Sequence, residues 1–238
     1  MWNAARKQYV APYRELGTLN LLAAQITVAV TGLRTLKLQS DDAVLDAQKP
    51  FEPFGSAPAV GSRLLLGHPE IGKKKLDSLE FHINWMGVPD DFDSYYDNYD
   101  PKPQDFLARV SFVDGSEVAV LDSAAPLFLR DAKKKIKVPA EASWTIDPAR
   151  LNPPPAPFAA GSFGDDLSAW PRRLQIELNP TDFQHAAFPR VASKLALDLA
   201  AAIANNIGSA TPEKIIASRY SVKPPYTPKI KSLTLDYS

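Results

Sequence analysis

Histidines and clustered carboxylates are the residues here that could do chemistry. His68, His82 and His185 are the only histidines among 238 residues, and none lies within metal-ligand spacing of another. His82 alternates with Glu80 and Asn84, the pattern of a solvated strand face. His68 precedes Pro69 in a turn, and His185 precedes a helix pattern that it is placed to cap. The acidic insert Asp90, Asp91, Asp93, Asp97 and Asp100 has the charge density of a calcium loop. Counted from Asp91, however, Tyr95 and Tyr96 fall where that loop needs an oxygen ligand and a glycine. Asp165 and Asp166 offer adjacent carboxylates for acid–base work, but on a glycine-flanked loop they read as a solvated turn. Trp85, Tyr95, Tyr96 and Tyr99 could build a sugar-stacking platform or a protein-contact patch.

The chain has no nucleophile elbow, phosphate-binding loop, dinucleotide fingerprint or zincin motif. It has no cysteine, which removes disulfides, thiolate metal sites and cysteine nucleophiles together. The expectation is therefore no catalytic residue, no bound metal, no cofactor and no enzymatic activity. Lys+Arg and Asp+Glu are 27 each, so there is no basic field to draw nucleic acid or an anionic membrane. No apolar run reaches the ~20 residues of a membrane span. The opening MWNAARKQYVAPYREL lacks the apolar core of a secretory signal peptide, so none is expected.

Strands must do the positioning. Proline is 22 of 238, about 9% against about 5% on average, which disfavours long helices and favours turns and edges. Period-2 alternation predicts strands at 26–31, 36–38, 63–66, 79–85, 106–112, 118–120, 174–178 and 230–237, with a further short strand at 127–129. Asp114-Gly115 sits between two alternating runs and predicts a hairpin. The prolines of 46–61 and 148–158 predict extended loops. Helical spacing predicts one substantial helix at 189–205, with Val191, Leu195, Leu199 and Ile203 as its buried stripe. Thr211-Pro212-Glu213 reads as the start of a second, short helix. The expected fold is mainly β, a β-sandwich-like architecture with one packed helix. Residues 1–24 form a lead-in segment and 25–238 the β-rich module, with a subdivision near 148–158 as the alternative. The last strand pattern runs almost to Ser238 without a polar tail, which suggests a chain cut from something longer.

Four segments carry a family resemblance. Residues 50–67 (PFEPFGSAPAVGSRLLLG) and 74–89 (KKLDSLEFHINWMGVP) resemble a stretch of the large baseplate J-like, wedge-forming proteins of phage-tail-like contractile injection systems. The matching features are the Pro50–Gly55 motif, Trp85, and Tyr95, Tyr96 and Tyr99. The FQHAAFP run at 183–189 and PPYTPKIKSLTLDYS at 224–238 are similar to further stretches in the same order. The similarity runs from about Leu19 to the end, and the much greater length of family members implies an internal fragment. The resemblance implies a structural role in a baseplate assembled in the cytoplasm and then part of a phage-tail-like particle. Its implied partners are other baseplate subunits: wedge, hub and sheath components. Loops 46–61 and 90–100 become candidate contacts, with Phe51, Phe54, Tyr95, Tyr96 and Tyr99 as their marker residues. A carbohydrate-binding β-sandwich using Trp and Tyr platforms is the alternative reading.

Overall fold

A computed structural model describes residues 2–3, 8–9, 27–73, 76–103, 105–115, 117–130, 141–151, 164–170, 172–180, 182–207, 209 and 214–238. In chain order the strands begin with β1 (Trp2–Asn3), β2 (Gln8–Tyr9), β3 (Val30–Leu33), β4 (Lys37–Ser40), β5 (Val44–Leu45) and β6 (Arg63–Gly67). Helix α1 (Pro69–Lys73), β7 (Leu79–Met86), α2 (Phe92–Tyr95), β8 (Leu107–Asp114) and β9 (Glu117–Pro126) follow. The remaining elements are β10 (Glu141–Ile146), β11 (Arg172–Leu178), α3 (Phe188–Asn206) and β12 (Lys229–Tyr237). All ladders are antiparallel. A four-stranded sheet has the order β10-β7-β12-β3, a six-stranded sheet β5-β4-β6-β11-β8-β9, and β1 pairs with β2.

Alternation decides which faces meet. In β7, Leu79, Phe81, Ile83 and Trp85 are buried while Glu80, His82 and Asn84 are only half-buried. In β12, Ile230, Leu233, Leu235 and Tyr237 are buried, with a bulge between Ile230 and Ser232 resetting the phase. Their apolar faces join Leu64, Leu66, Val110, Phe112, Leu174 and Ile176 of the six-stranded sheet in one continuous core. The strands on either side of 148–158, β10 and β11, both contribute to that core.

Several expectations shift on folding. Residues 27–29 are exposed and irregular; the strand begins at Val30, and Ile26 lies outside the described residues. Residues 127–129 are not a strand, although Leu127 and Phe128 are core. The hairpin turns one residue later than expected, because Asp114 still pairs with Glu117. Val118 and Val120 face outward opposite Val113 and Ser111, which leaves Leu121 on the inward face that Ala119 shares with Phe112. β10 was not anticipated, yet Ala142, Trp144 and Ile146 alternate inward. The Thr211-Pro212-Glu213 helix start lies outside the described residues.

Helix α3 matches its expected span to one residue at each end. Its expected stripe drifts, however. Val191 is buried and Leu195 and Leu199 half-buried, but Ile203 is 46% exposed. Four residues advance ~400° around a helix, so three such steps rotate Ile203 about 120° from Val191. Ala202 and Asn206 face inward in its place. Only the first turns of α3 pack on the core, through Phe188, Val191 and Leu195.

The six-stranded sheet also has a covered patch on its outer face. Leu65, Leu167 and Trp170 form a small second core there. A Cβ on Gly67 would lie 2.3 Å from Leu167 Cδ2 and 2.7 Å from Trp170 Cζ3, so the close approach of the indole requires glycine. Among the described residues no helix is long and apolar enough to cross a membrane.

Candidate protein-contact site

The two loops marked by the sequence fasten onto the same extended segment, residues 221–230. Asp91 starts α2 as its N-cap, its carboxylate accepting from the backbone N–H groups of Asp93 and Ser94. That short helix and its following turn hold three tyrosines in a row. Tyr95 and Tyr99 donate their hydroxyls to the carbonyls of Pro224 (2.9 Å) and Lys223 (2.8 Å). Tyr96 donates to Phe183 O and accepts from Tyr226 N–H, both at 3.1 Å. Asn98 Nδ2 donates to Ser221 O. From the other loop, Phe51 and Ile230 exchange backbone hydrogen bonds at 3.0 and 2.8 Å, and Thr227 Oγ1 donates to Ser56 O. Gly55 takes φ +76° with Asp42 packed against its Cα, where any Cβ would strike the carboxylate.

The marker aromatics therefore lie inward. Phe51, Phe54, Tyr96 and Tyr99 are buried and Tyr95 is half-buried. Tyr96 and Tyr99 meet at 4.9 Å between centroids, and Phe106 stacks on Phe183 at 4.4 Å within the same aromatic cluster. What the 90–100 loop shows to solvent is acidic: Asp90, Asp93, Asp97 and Asp100 are exposed, with Asp97 paired to Lys102 at 2.6 Å. The 46–56 side lines an open groove of about 470 Å³ that holds Asp42, Asp46, Glu52, Lys49 and Lys229. The Gln48 backbone N–H and the Lys49 side chain hold the Asp46 carboxyl below its usual range.

Burial dominates the tyrosine electrostatics. Desolvation of the phenolate pushes Tyr99 and Tyr237 up to about 12, and Tyr96 and Tyr226 higher still. For Tyr237 the hydrogen bond to Glu70 Oε2 at 2.6 Å adds to the rise. These groups keep their protons in the folded state at a pH where the unfolded chain releases them. The stability they contribute is whole below the ordinary tyrosine value of 10.0 and is lost as pH rises through the raised values. Denaturant midpoints should accordingly be flat below that pH and fall steeply above it, with phenolate absorbance appearing together with unfolding. Ionisation of all eight tyrosines without loss of structure would refute this.

The other chemistry-bearing residues are held in structural roles. His82 Nε2 lies 3.2 Å from Asp236 Oδ2, and Ser143 Oγ lies 3.5 Å from His82 Nδ1, an order that resembles a hydrolytic triad. The serine proton is engaged instead: Ser143 Oγ donates to Glu80 Oε1 at 2.6 Å. Asp236 also accepts from Gly32 N–H at 2.7 Å, and the cluster lies on a sheet's outer face. Sequence reading missed this grouping because Ser143 lies on the unanticipated β10. His185 does not cap α3, whose N-cap Ala187 has no side-chain hydrogen bond; its ring reaches Tyr226 O and Thr227 Oγ1, both at 3.4 Å. Burial lowers its pKa. Asp165 pairs with Lys37, and Asp166 caps the turn Leu167–Ala169. Among the described residues no three His, Asp or Glu converge as metal ligands. Trp85, Tyr96 and Tyr99 are packed in the core, so of the suggested sugar platform only Tyr95 is half-exposed, with Lys223 Nζ 5.2 Å from its ring centroid.

Sequence reading also missed Arg172. It is 5% exposed, with its guanidinium 4.3 Å from the centroid of the Phe112 ring. Its parity with Leu174, Ile176 and Leu178 was the available signal for an inward side chain.

No curated protein matches the chain. Residues 15–205 match the family described as baseplate protein PVC11-like. That match takes in both marked loops, the FQHAAFP run and all but the last residue of α3, and ends before 224–238. Since it covers most of the 238 residues, the chain belongs to the PVC11-like family of baseplate proteins, structural components of contractile injection systems.

Proposed function

We propose that this chain is a wedge-forming, baseplate J-like structural module, packing against neighbouring wedge, hub and sheath components beneath a contractile sheath. It works by protein–protein packing, and no enzymatic step is assigned to it. The observation that carries the reading is the family match over 15–205, which contains both loops. The geometry of those loops supports it. Each is fastened through its buried aromatics to residues 221–230, so its outer surface is held in place before any partner arrives. Phe51, Phe54, Tyr95, Tyr96 and Tyr99 thus act as supports of the contact loops. The exposed Asp90, Asp93, Asp97 and Asp100 favour a basic partner surface.

The test is assembly. Particles produced without this chain should lack a complete baseplate, and the chain should restore it. A variant carrying Asp90→Lys, Asp93→Lys and Asp97→Lys should fold normally and restore it poorly. Complete baseplates formed in the absence of the chain would refute the reading.

A further inference from the structure

We propose that the distal half of α3 is a knob that inserts into an uncharged, apolar groove on another baseplate subunit; the inference rests on the baseplate reading above. Between Asp198 and Glu213 the sequence contains no charged residue. Yet the described residues of this stretch, with Leu197 just before it, stay largely outside the protein's own core. Leu197 is 71% exposed, Ile203 46% and Ile207 78%. Ala200, Ala201 and Ala204 are exposed between them.

At ~100° per residue these six positions form one continuous arc of about 160°. Lys194, Asn205 and Asp198 border it on one side, and the inward-facing Leu199, Ala202 and Asn206 lie behind. A free helix in water carries charge on such a surface; one that is apolar over so wide an arc belongs in an interior.

The arc also selects the occupant. A flat pairing of two α3 helices covers a single stripe about 100° wide. From Leu197 to Ile207 the helix is only ~16 Å long, and a flat pair would leave about a third of the arc in water. A second copy of this chain is therefore a poor fit, and a two-walled groove on a larger subunit a good one. That groove must be uncharged, since the arc offers no partner to a buried charge. Leu197, Ile203 and Ile207 are its anchors, and the alanines let its walls approach closely. The helix is ready for docking. Phe188, Val191 and Leu195 seat its base on the core, and the Tyr95, Asn98 and Tyr99 bonds tie down the returning chain at 221–224.

The absence of native cysteine makes a direct test available. Ala201→Cys introduces a single thiol. Maleimide should label it freely in the purified chain and at least roughly tenfold more slowly in the assembled particle, as for a fully covered interface anchor. A photo-crosslinking residue at position 197 should capture an uncharged apolar segment of a different subunit. Leu197→Glu should leave the melting point of the purified chain within about 2 °C of the native value, since the side chain is exposed. Its incorporation into particles should fall by roughly tenfold or more. A thiol that remains equally reactive in the particle, a crosslink to a second copy of this chain or to a charged surface, or normal incorporation of Leu197→Glu overturns the inference while the baseplate reading stands. A native chain absent from the particle overturns both.

Discussion

Tyr96→Ala is expected to cost about 3–5 kcal/mol, the range for removing a fully buried aromatic side chain. The ring is 0% exposed and packs against Phe92, Tyr99 and Phe106. Its hydroxyl both donates to Phe183 O and accepts from Tyr226 N–H. The truncation thus opens a cavity and leaves polar backbone groups short of a partner. Tyr96→Phe separates the two effects, because it keeps the ring and should cost about 1–3 kcal/mol through the unsatisfied groups alone. For a chain of this size, the alanine variant corresponds to a fall in melting point of about 6–20 °C. Hydrogen exchange supplies the local readout: amides near Tyr226 should lose protection in both variants. Thermal melting of Tyr96→Ala at the native temperature would show that the loop is not a support of the fold.

Leu235→Ala is expected to cost about 2–5 kcal/mol. Leu235 is 0% exposed on β12, paired with Phe81 of β7 on one side and Leu33 of β3 on the other. It has a packed neighbour across both ladders, so little local collapse can fill the space it leaves. Lys231→Ala on the same strand is the control. Lys231 is exposed, and its loss should stay within about 0.5 kcal/mol. Equal unfolding midpoints for the two variants would show that β12 does not close this core.

The β-class of the protein, several of its strands and α3 were legible in residue order because they rest on local periodicity. LEFHINWM and KIKSLTLDY each state their inward face, and the pleat has period 2 whatever surrounds it. That the chain is a baseplate protein of a contractile injection system was legible too, through motifs of which those at 50–67, 74–89 and 183–189 fall within the matched residues 15–205 and that at 224–238 does not. Four things needed the tertiary structure. One was phase: Leu121 rather than Val120 enters the core because β9 pairs Val120 with Ser111 and Ala119 with the inward Phe112, and that register depends on the partner strand. Another was the fate of the helix stripe, where rotation carries Ile203 off the packed face and only the sheet beneath shows how far the contact extends. The third was β10, whose Ser143 meets His82 and Glu80 only after β10 pairs with β7.

The last was the role of the aromatic loops. Residues alone marked Phe51, Phe54, Tyr95, Tyr96 and Tyr99 but could not say which way they face, since a Tyr-rich loop suits an interface and a core equally well. The carbonyls of Pro224, Lys223 and Phe183 decide the matter, and they lie 87 to 129 residues away in sequence. Short-range order in the sequence determined the kind of fold and the baseplate character of the chain. Contacts at long range decided what is buried, because burial belongs to a pair of surfaces and a single segment carries only one of them.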